Sequence, residues 1–210
     1  MDLASGKNLC GCFYQPDLVL CDPEVLTTLP PEVFRDGCAE VIKYGILCSE
    51  EFFHSIETTP VEAQLETVIA RCVAMKRDIV AEDEFDLGRR QLLNLGHTVG
   101  HAVEARSRYS VSHGCAVSIG MAVVARGAAA MGLCGKDTAE AVTGLLRRYG
   151  LPTESAYSGQ ELYEAALSDK KIRGGKLHLV VPEAIGRCRV MTMEPEKLRD
   201  WLEAGGVKWM

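Results

Sequence analysis

A mainly α-helical fold with one small β-hairpin is what this sequence predicts, and three observations predict it. Apolar residues recur at helical spacing over most of the chain, and two such segments are crossed by polar residues at three- and four-residue intervals. The pattern changes to alternation only in Leu177–Val181 and Arg187–Thr192, which read as a hairpin across Pro182–Gly186. Composition is the third observation: 210 residues, 47% hydrophobic and 25% charged, suit a globular core of ordinary size rather than a disordered chain.

Taken in order, Leu18–Cys21 reads as a short strand, and Pro23–Leu29 leads into a helix that opens at Pro31. Helices are predicted at Pro31–Leu47, Ser49–Glu57, Val61–Ala81, Arg90–Ser107, Ala116–Gly132, Lys136–Tyr149 and Gly159–Ser168. After the hairpin, Pro195–Ala204 reads as a terminal helix, because proline fits the first helical position, where its missing N–H has no intrahelical partner to lose. There is no repeat and no low-complexity linker.

A net charge of −6 argues against nucleic acid or an anionic membrane as a general partner. The apolar run Ala116–Ala130 is short and contains Arg126, so it does not read as a spanning helix, and no secretory segment opens the chain. Nine cysteines, an odd number without a C-x-x-C pair, suit reduced core thiols in a cytoplasmic protein.

Chemistry concentrates in RRQLLNLGHTVGHAVE. On a continuous helix Arg90, Asn94, His97, His101 and Glu104, spaced by four, three, four and three residues, share one face. The flanking Leu92, Leu93, Leu95, Val99, Ala102 and Val103 are built for burial. His113 of SHGCAV adds a third imidazole, and Asp36, Glu40 and Lys43 form a matching polar line in RDGCAEVIKYGIL. Imidazoles with one carboxylate make a usual catalytic zinc set. Spacing alone does not separate His97 from His101 as a ligand, and each line has a plainer reading as a solvated helix face. Lys76, Arg90, Lys170 and Lys171 are the candidate cations for a phosphate or carboxylate, against a solvated helix or a lysine-rich turn.

These blocks, with GKNLCGCFYQPDLVLCDPEVLTTLPPEVF, MKRDIVAEDE and DKKIRGGKLHLVV in the same order, resemble the C-terminal two thirds of the 3-dehydroquinate synthase family. The resemblance implies the helical metal-binding C-terminal domain of that fold. It implies a phosphate-eliminating cyclase, a carbon–oxygen lyase of the shikimate pathway and aromatic amino acid biosynthesis. Its substrate is a phosphorylated seven-carbon sugar acid, 3-deoxy-D-arabino-heptulosonate 7-phosphate, and its cofactors are NAD and zinc or cobalt.

Carried over by motif, Glu40, His97 and His113 match the metal ligands, so that His101 is not one. Lys43, Lys76, Arg90, Asn94 and His101 match substrate-contacting or catalytic positions, with His101 the protein acid/base. Lys7, Asn8, Thr28 and Leu29 match positions near the nucleotide, and Lys170 and Lys171 remain phosphate or carboxylate candidates. Transient oxidation of a ring hydroxyl makes the neighbouring hydrogen acidic. The cations then orient the phosphate so that its own oxygen assists proton removal. Other sugar-phosphate cyclases, such as 2-deoxy-scyllo-inosose synthase, are the alternative within enzymes, and a non-catalytic metal-binding remnant the alternative outside them.

Three departures from the family pattern stand out. Asp86 replaces a glutamate, Cys115 follows the HG motif where a glutamate is common and places a thiol near the metal, and no G-x-G-x-x-G fingerprint occurs. Residues 1–22, with Leu3–Gln15 as a returning edge, therefore read as the remnant of a nucleotide-binding domain, and 23–210 as the metal- and substrate-binding domain. The expected partners are the missing nucleotide domain, or a chain supplying it, and a second copy in a homodimer.

Overall fold

The computed structural model describes residues 10–12, 14–85, 88–168 and 175–210. Among them are eight α-helices and one two-stranded antiparallel sheet. The helices are α1 (Pro31–Cys48), α2 (Glu50–Thr58), α3 (Leu65–Glu82), α4 (His97–Arg106), α5 (His113–Ala130), α6 (Lys136–Arg148), α7 (Gly159–Ser168) and α8 (Leu198–Ala204). The hairpin is β1 (Leu177–Ala184) and β2 (Arg187–Met193), with Leu177 opposite Met193 and Val180 opposite Val190.

Local chemistry sets these boundaries. Pro31 opens α1 at a position that needs no donor, and Ser49 ends it in an extended conformation, then caps α2 by accepting a hydrogen bond from the Phe52 N–H at 3.1 Å. Beyond α5, Gly132 takes φ +72°, a left-handed conformation that costs glycine little.

Helix α5 is apolar over most of its surface and therefore sits inside, where it separates two cores. Its length and composition would allow it to cross a membrane, but most of it is buried in the fold. On one side Val117, Met121 and Ala125 pack with Ile42, Ile46, Phe52, Phe53 and Leu146. On the other, Ala116, Val123, Val124 and Ala128 pack with Val99, Val103, Leu162, Leu179 and Trp201. The hairpin crosses both, and its tip is fastened to the end of α1 by the Gly186 N–H, which donates to the Ile46 carbonyl at 3.0 Å.

The predicted helix Arg90–Ser107 is two elements. Arg89–Asn94 forms a 3₁₀ turn, the chain bends at Leu95 and Gly96, and α4 starts at His97. Gly96 adopts φ +77° because its carbonyl lies against Gly120 of α5, where a Cβ on Gly120 would meet it at 1.9 Å. An uninterrupted helix would break that approach. Arg90 and Asn94 consequently leave the face carrying His97, His101 and Glu104.

Smaller corrections have similar causes. Leu18–Cys21 is irregular rather than a strand: no described strand pairs with it, and Leu18 and Leu20 are 81% and 86% exposed. The segments predicted from Val61 and from Pro195 begin as 3₁₀ turns, Val61–Gln64 and Pro195–Lys197, each following or containing a proline that restricts the entry. The helix predicted from Ala116 begins at His113, which places that imidazole in its first turn.

Candidate metal centre

Three helices bring Glu40, His97 and His113 together. Glu40 lies midway along α1, whereas His97 and His113 are the first residues of α4 and α5. Glycines permit the crossing: a Cβ on Gly100 would touch the Ala116 carbonyl at 3.1 Å, and one on Gly114 would reach the Asp36 carbonyl at 2.0 Å. No larger residue fits at Gly114 without moving α1 away from α5.

Glu40 Oε1 lies 3.5 Å from His113 Nε2 and 3.7 Å from His97 Nε2, and the three ligand atoms fall within 4.8 Å of one another. Oε1 is buried and has no hydrogen-bond partner among the described residues, an expensive state for a carboxylate oxygen. Zinc bonds of roughly 2.0–2.1 Å at tetrahedral angles would separate ligand atoms by about 3.3 Å. The two spacings from Glu40 Oε1 lie close to that figure, so the residues present fit a divalent cation.

Each imidazole is already turned the right way. His97 Nδ1 lies 3.0 Å from the Leu95 carbonyl, and because a carbonyl only accepts, Nδ1 carries a hydrogen and Nε2 is the nitrogen turned toward Glu40. His113 Nδ1 faces Glu104 Oε2 at 3.4 Å. His101 stands beside them, its ring 5.5 Å from that of His97 and its Nε2 4.0 Å from Glu104 Oε2. His101, Glu104 and His113 form a second group of converging donors that shares His113 with the first.

Lys43, with a side chain only 4% exposed, donates to the other Glu40 oxygen at 2.5 Å. Burial works against charge on Glu40, but His113, Lys43 and His97 outweigh it and hold the carboxyl down at about 2. The Glu40 carboxylate in turn raises His113 above its ordinary value, against burial and with help from Glu104.

The remaining predicted residues divide. Arg90 is committed to the loop before it, its N–H donating to Asp83 Oδ2 at 2.9 Å and its guanidinium to the Glu84 carbonyl at 2.6 Å. Asn94 is half-buried at the end of the 3₁₀ turn, and Lys76 lies on α3. Thr28 ends the 3₁₀ turn Pro23–Thr28 with its hydroxyl donated to the Val25 carbonyl at 2.8 Å, and Leu29 follows it. Lys7, Asn8, Asp86, Lys170 and Lys171 lie outside the described residues.

Cys115 does not bring its thiol into either donor group; its side chain packs against the core around Val117 and Met121. Two residues of the polar lines gain roles that spacing did not assign: Asp36, which caps α5, and Glu104, which faces His113. The sequence signal for Glu104 was a carboxylate inside an otherwise apolar stretch.

Comparison with known proteins finds one family along most of the chain. The family model for the 3-dehydroquinate synthase C-terminal domain matches residues 37–172, and that for the N-terminal domain matches residues 1–36. A 3-dehydroquinate synthase of Enterococcus faecalis (strain OG1RF) is 40% identical over 207 residues, covering 96% of this chain and 58% of the relative. One of Clostridium perfringens (strain 13) is 43% identical over 192 residues, covering 89% and 55%. The chain thus spans a little over half the length of these relatives.

Among solved structures, a 2-epi-5-epi-valiolone synthase of Streptomyces hygroscopicus subsp. jinggangensis with NAD⁺ and Zn²⁺ bound superposes with a TM-score of 0.84 at 24% identity. The match covers 98% of this chain and 60% of that one. A 2-deoxy-scyllo-inosose synthase complexed with carbaglucose-6-phosphate, NAD⁺ and Co²⁺ gives 0.77 at 25% identity, covering 95% and 60%. The fold is therefore that of the dehydroquinate synthase-like cyclases.

Proposed function

Because the chain belongs to the 3-dehydroquinate synthase family, we propose that it is the metal- and substrate-binding part of an enzyme that converts 3-deoxy-D-arabino-heptulosonate 7-phosphate into 3-dehydroquinate and phosphate. The observation that carries this reading is the convergence of buried Glu40 Oε1 with the Nε2 atoms of His97 and His113. In the same reading residues 23–210 are the metal and substrate domain, residues 1–22 are an edge of the nucleotide domain, the assembly is a homodimer, and its setting is the cytoplasm.

Zinc or cobalt at Glu40, His97 and His113 would supply a fixed positive charge opposite the negative charge that builds up on substrate oxygens. Lys43 keeps Glu40 ionised and in place. His101, one turn along α4 from His97, holds or moves a proton at a ring nitrogen without occupying a ligand position. Arg90, Asn94 and Lys76, with Lys170 and Lys171, are assigned to the substrate's phosphate and carboxylate, where they orient rather than transfer protons.

NAD supplies the reversible hydride acceptor of the family reaction. Lys7, Asn8, Thr28 and Leu29 are assigned to the nucleotide side, within residues 1–36 that match the family's N-terminal domain model. A different sugar-phosphate cyclase is the competing reading, and the 40% and 43% identities to 3-dehydroquinate synthases favour the first.

The test is metal stoichiometry after dialysis, with about one zinc expected per chain and clear loss in His97→Ala. Undiminished zinc in that variant overturns the ligand set. Phosphate release from the heptulosonate substrate, assayed with and without a separately expressed nucleotide domain, tests the activity.

A further inference from the structure

We propose that Glu104 is a positioning residue for the metal centre: its buried carboxylate takes the Nδ1–H of His113 and thereby aims His113 Nε2 at Glu40. The inference rests on the metal reading above and adds a residue to which that reading gives no role.

The geometry is that of one imidazole held between two carboxylates from different helices. His113 Nε2 stands 3.5 Å from Glu40 Oε1 on α1, and its Nδ1 stands 3.4 Å from Glu104 Oε2 on α4. The His113 side chain is 42% exposed in the first turn of α5, so packing alone does not fix its ring, whose terminal torsion has broad, roughly two-fold preferences. A flip about that torsion would put Cδ2 where Nδ1 stands and Cε1 where Nε2 stands, turning Nε2 away from Glu40 and Nδ1 away from Glu104. His97 is protected from this by a backbone carbonyl, that of Leu95, which cannot leave; His113 relies on a side chain for the same service.

Glu104 is itself costly to keep. Its side chain is 5% exposed, on a helix whose neighbouring Ala102 and Val103 belong to the core. Placing a carboxylate there incurs desolvation that an alanine would avoid. The return is orientation, since His113 and His101 both present ring nitrogens to the same Oε2, at 3.4 and 4.0 Å. Carboxylates that hold the far nitrogen of a ligand histidine typically change metal affinity by about 10–100-fold.

The experiment uses the whole chain with Zn²⁺ in competition with a chelator, and Co²⁺ as a spectroscopic probe. Glu104→Ala should weaken zinc binding by about 10–100-fold while saturating metal still gives about one ion per chain. Glu104→Gln should recover part of the loss, because its amide oxygen still accepts from Nδ1. It also preserves shape should the alanine variant fold poorly. ¹⁵N spectra of the metal-free chain at alkaline pH should show His113 hydrogen on Nδ1 in the wild type and a loss of that bias in Glu104→Ala.

Affinity within about twofold of wild type, in a folded Glu104→Ala chain with unchanged ¹⁵N shifts, would overturn the proposal. So would loss of stoichiometric metal in Glu104→Ala with retention in His97→Ala, which would make Glu104 a ligand. Undiminished zinc in His97→Ala with the His113 tautomer still dependent on Glu104 would sink the ligand set and leave the positioning role standing.

Discussion

Asp36 of α1 accepts a hydrogen bond from the backbone N–H of Cys115 at 2.8 Å, so the side chain of one helix caps the N-terminus of another. Gly114 donates to the second carboxylate oxygen at 3.0 Å, and the Ser112 hydroxyl also donates to Asp36. Asp36 is one turn before Glu40, and Cys115 is two residues after His113. The cap therefore fixes the distance between two of the three converging ligand atoms, and it places a carboxylate at the positive end of α5.

Asp36→Ala should for that reason act on both stability and metal. Loss of a side-chain cap typically costs about 0.5–2 kcal/mol, readable as a lower denaturant midpoint. Zinc affinity should fall with it, since His113 loses its tether to α1. Asp36→Asn, which can still accept from a backbone N–H, should recover part of each loss. A variant equal to wild type in midpoint and affinity would show that the α1–α5 spacing is set elsewhere.

The glycines separate into those that carry the helix crossing and those that do not. Alanine at Gly120 would bring a Cβ within 1.9 Å of the Gly96 carbonyl, a backbone atom that cannot swing aside. Overpacking of this kind typically costs about 1–3 kcal/mol. In α6, a Cβ added at Gly144 would meet nothing within 4 Å among the described residues, so Gly144→Ala should stabilise the chain by up to about 1 kcal/mol through helix propensity alone. Thermal midpoints that moved in the same direction for both variants would refute the contrast.

The same glycines mark where sequence reading stops. Helix positions, the hairpin and the family were legible because burial imposes period and because GHTVGH and SHG are local. The break at Gly96 was not legible, since the period of three and four runs unbroken from Arg90 to Glu104 and only the approach of Gly120 on another helix interrupts it. Glu104 was visible as a polar residue in an apolar run. Its partner, His113, is nine residues away on the next helix, a relationship that spacing within one helix does not encode.

Thiols provide a test independent of the metal. Burial, with Glu62 nearby, pushes the Cys38 thiol from 9.0 up to about 12, whereas Cys10, Cys12 and Cys21 are exposed. Alkylation of the folded chain at about pH 8 should label the exposed three and spare Cys38, with unfolding required to reach it. Between pH 9.0 and about 12 the unfolded thiol gives up its proton before the folded one does. The native state then binds more protons, so the contribution of Cys38 to stability is complete below pH 9.0 and declines as pH rises. Labelling of Cys38 at the rate of Cys10 in native chain would contradict the buried core around α1.

In the function proposed above, His101 is the residue whose loss separates metal binding from turnover. It stands on α4 one turn from His97, with its ring 5.5 Å from that imidazole and 6.3 Å from His113, yet it belongs to the donor group with Glu104 and not to the one with Glu40. Under the proposed function, His101→Ala in the active enzyme should retain about one zinc and lose about 10²–10⁴ in turnover, the usual contribution of a general acid or base. Asn94→Ala should raise KM with a smaller loss in kcat, because a neutral amide positions a group without transferring a proton. If His101→Ala emptied the metal site while His113→Ala left it filled, the ligands would be the i,i+4 pair His97 and His101. Glu40 Oε1 would then be a buried oxygen with no cation to face, an outcome its present surroundings argue against.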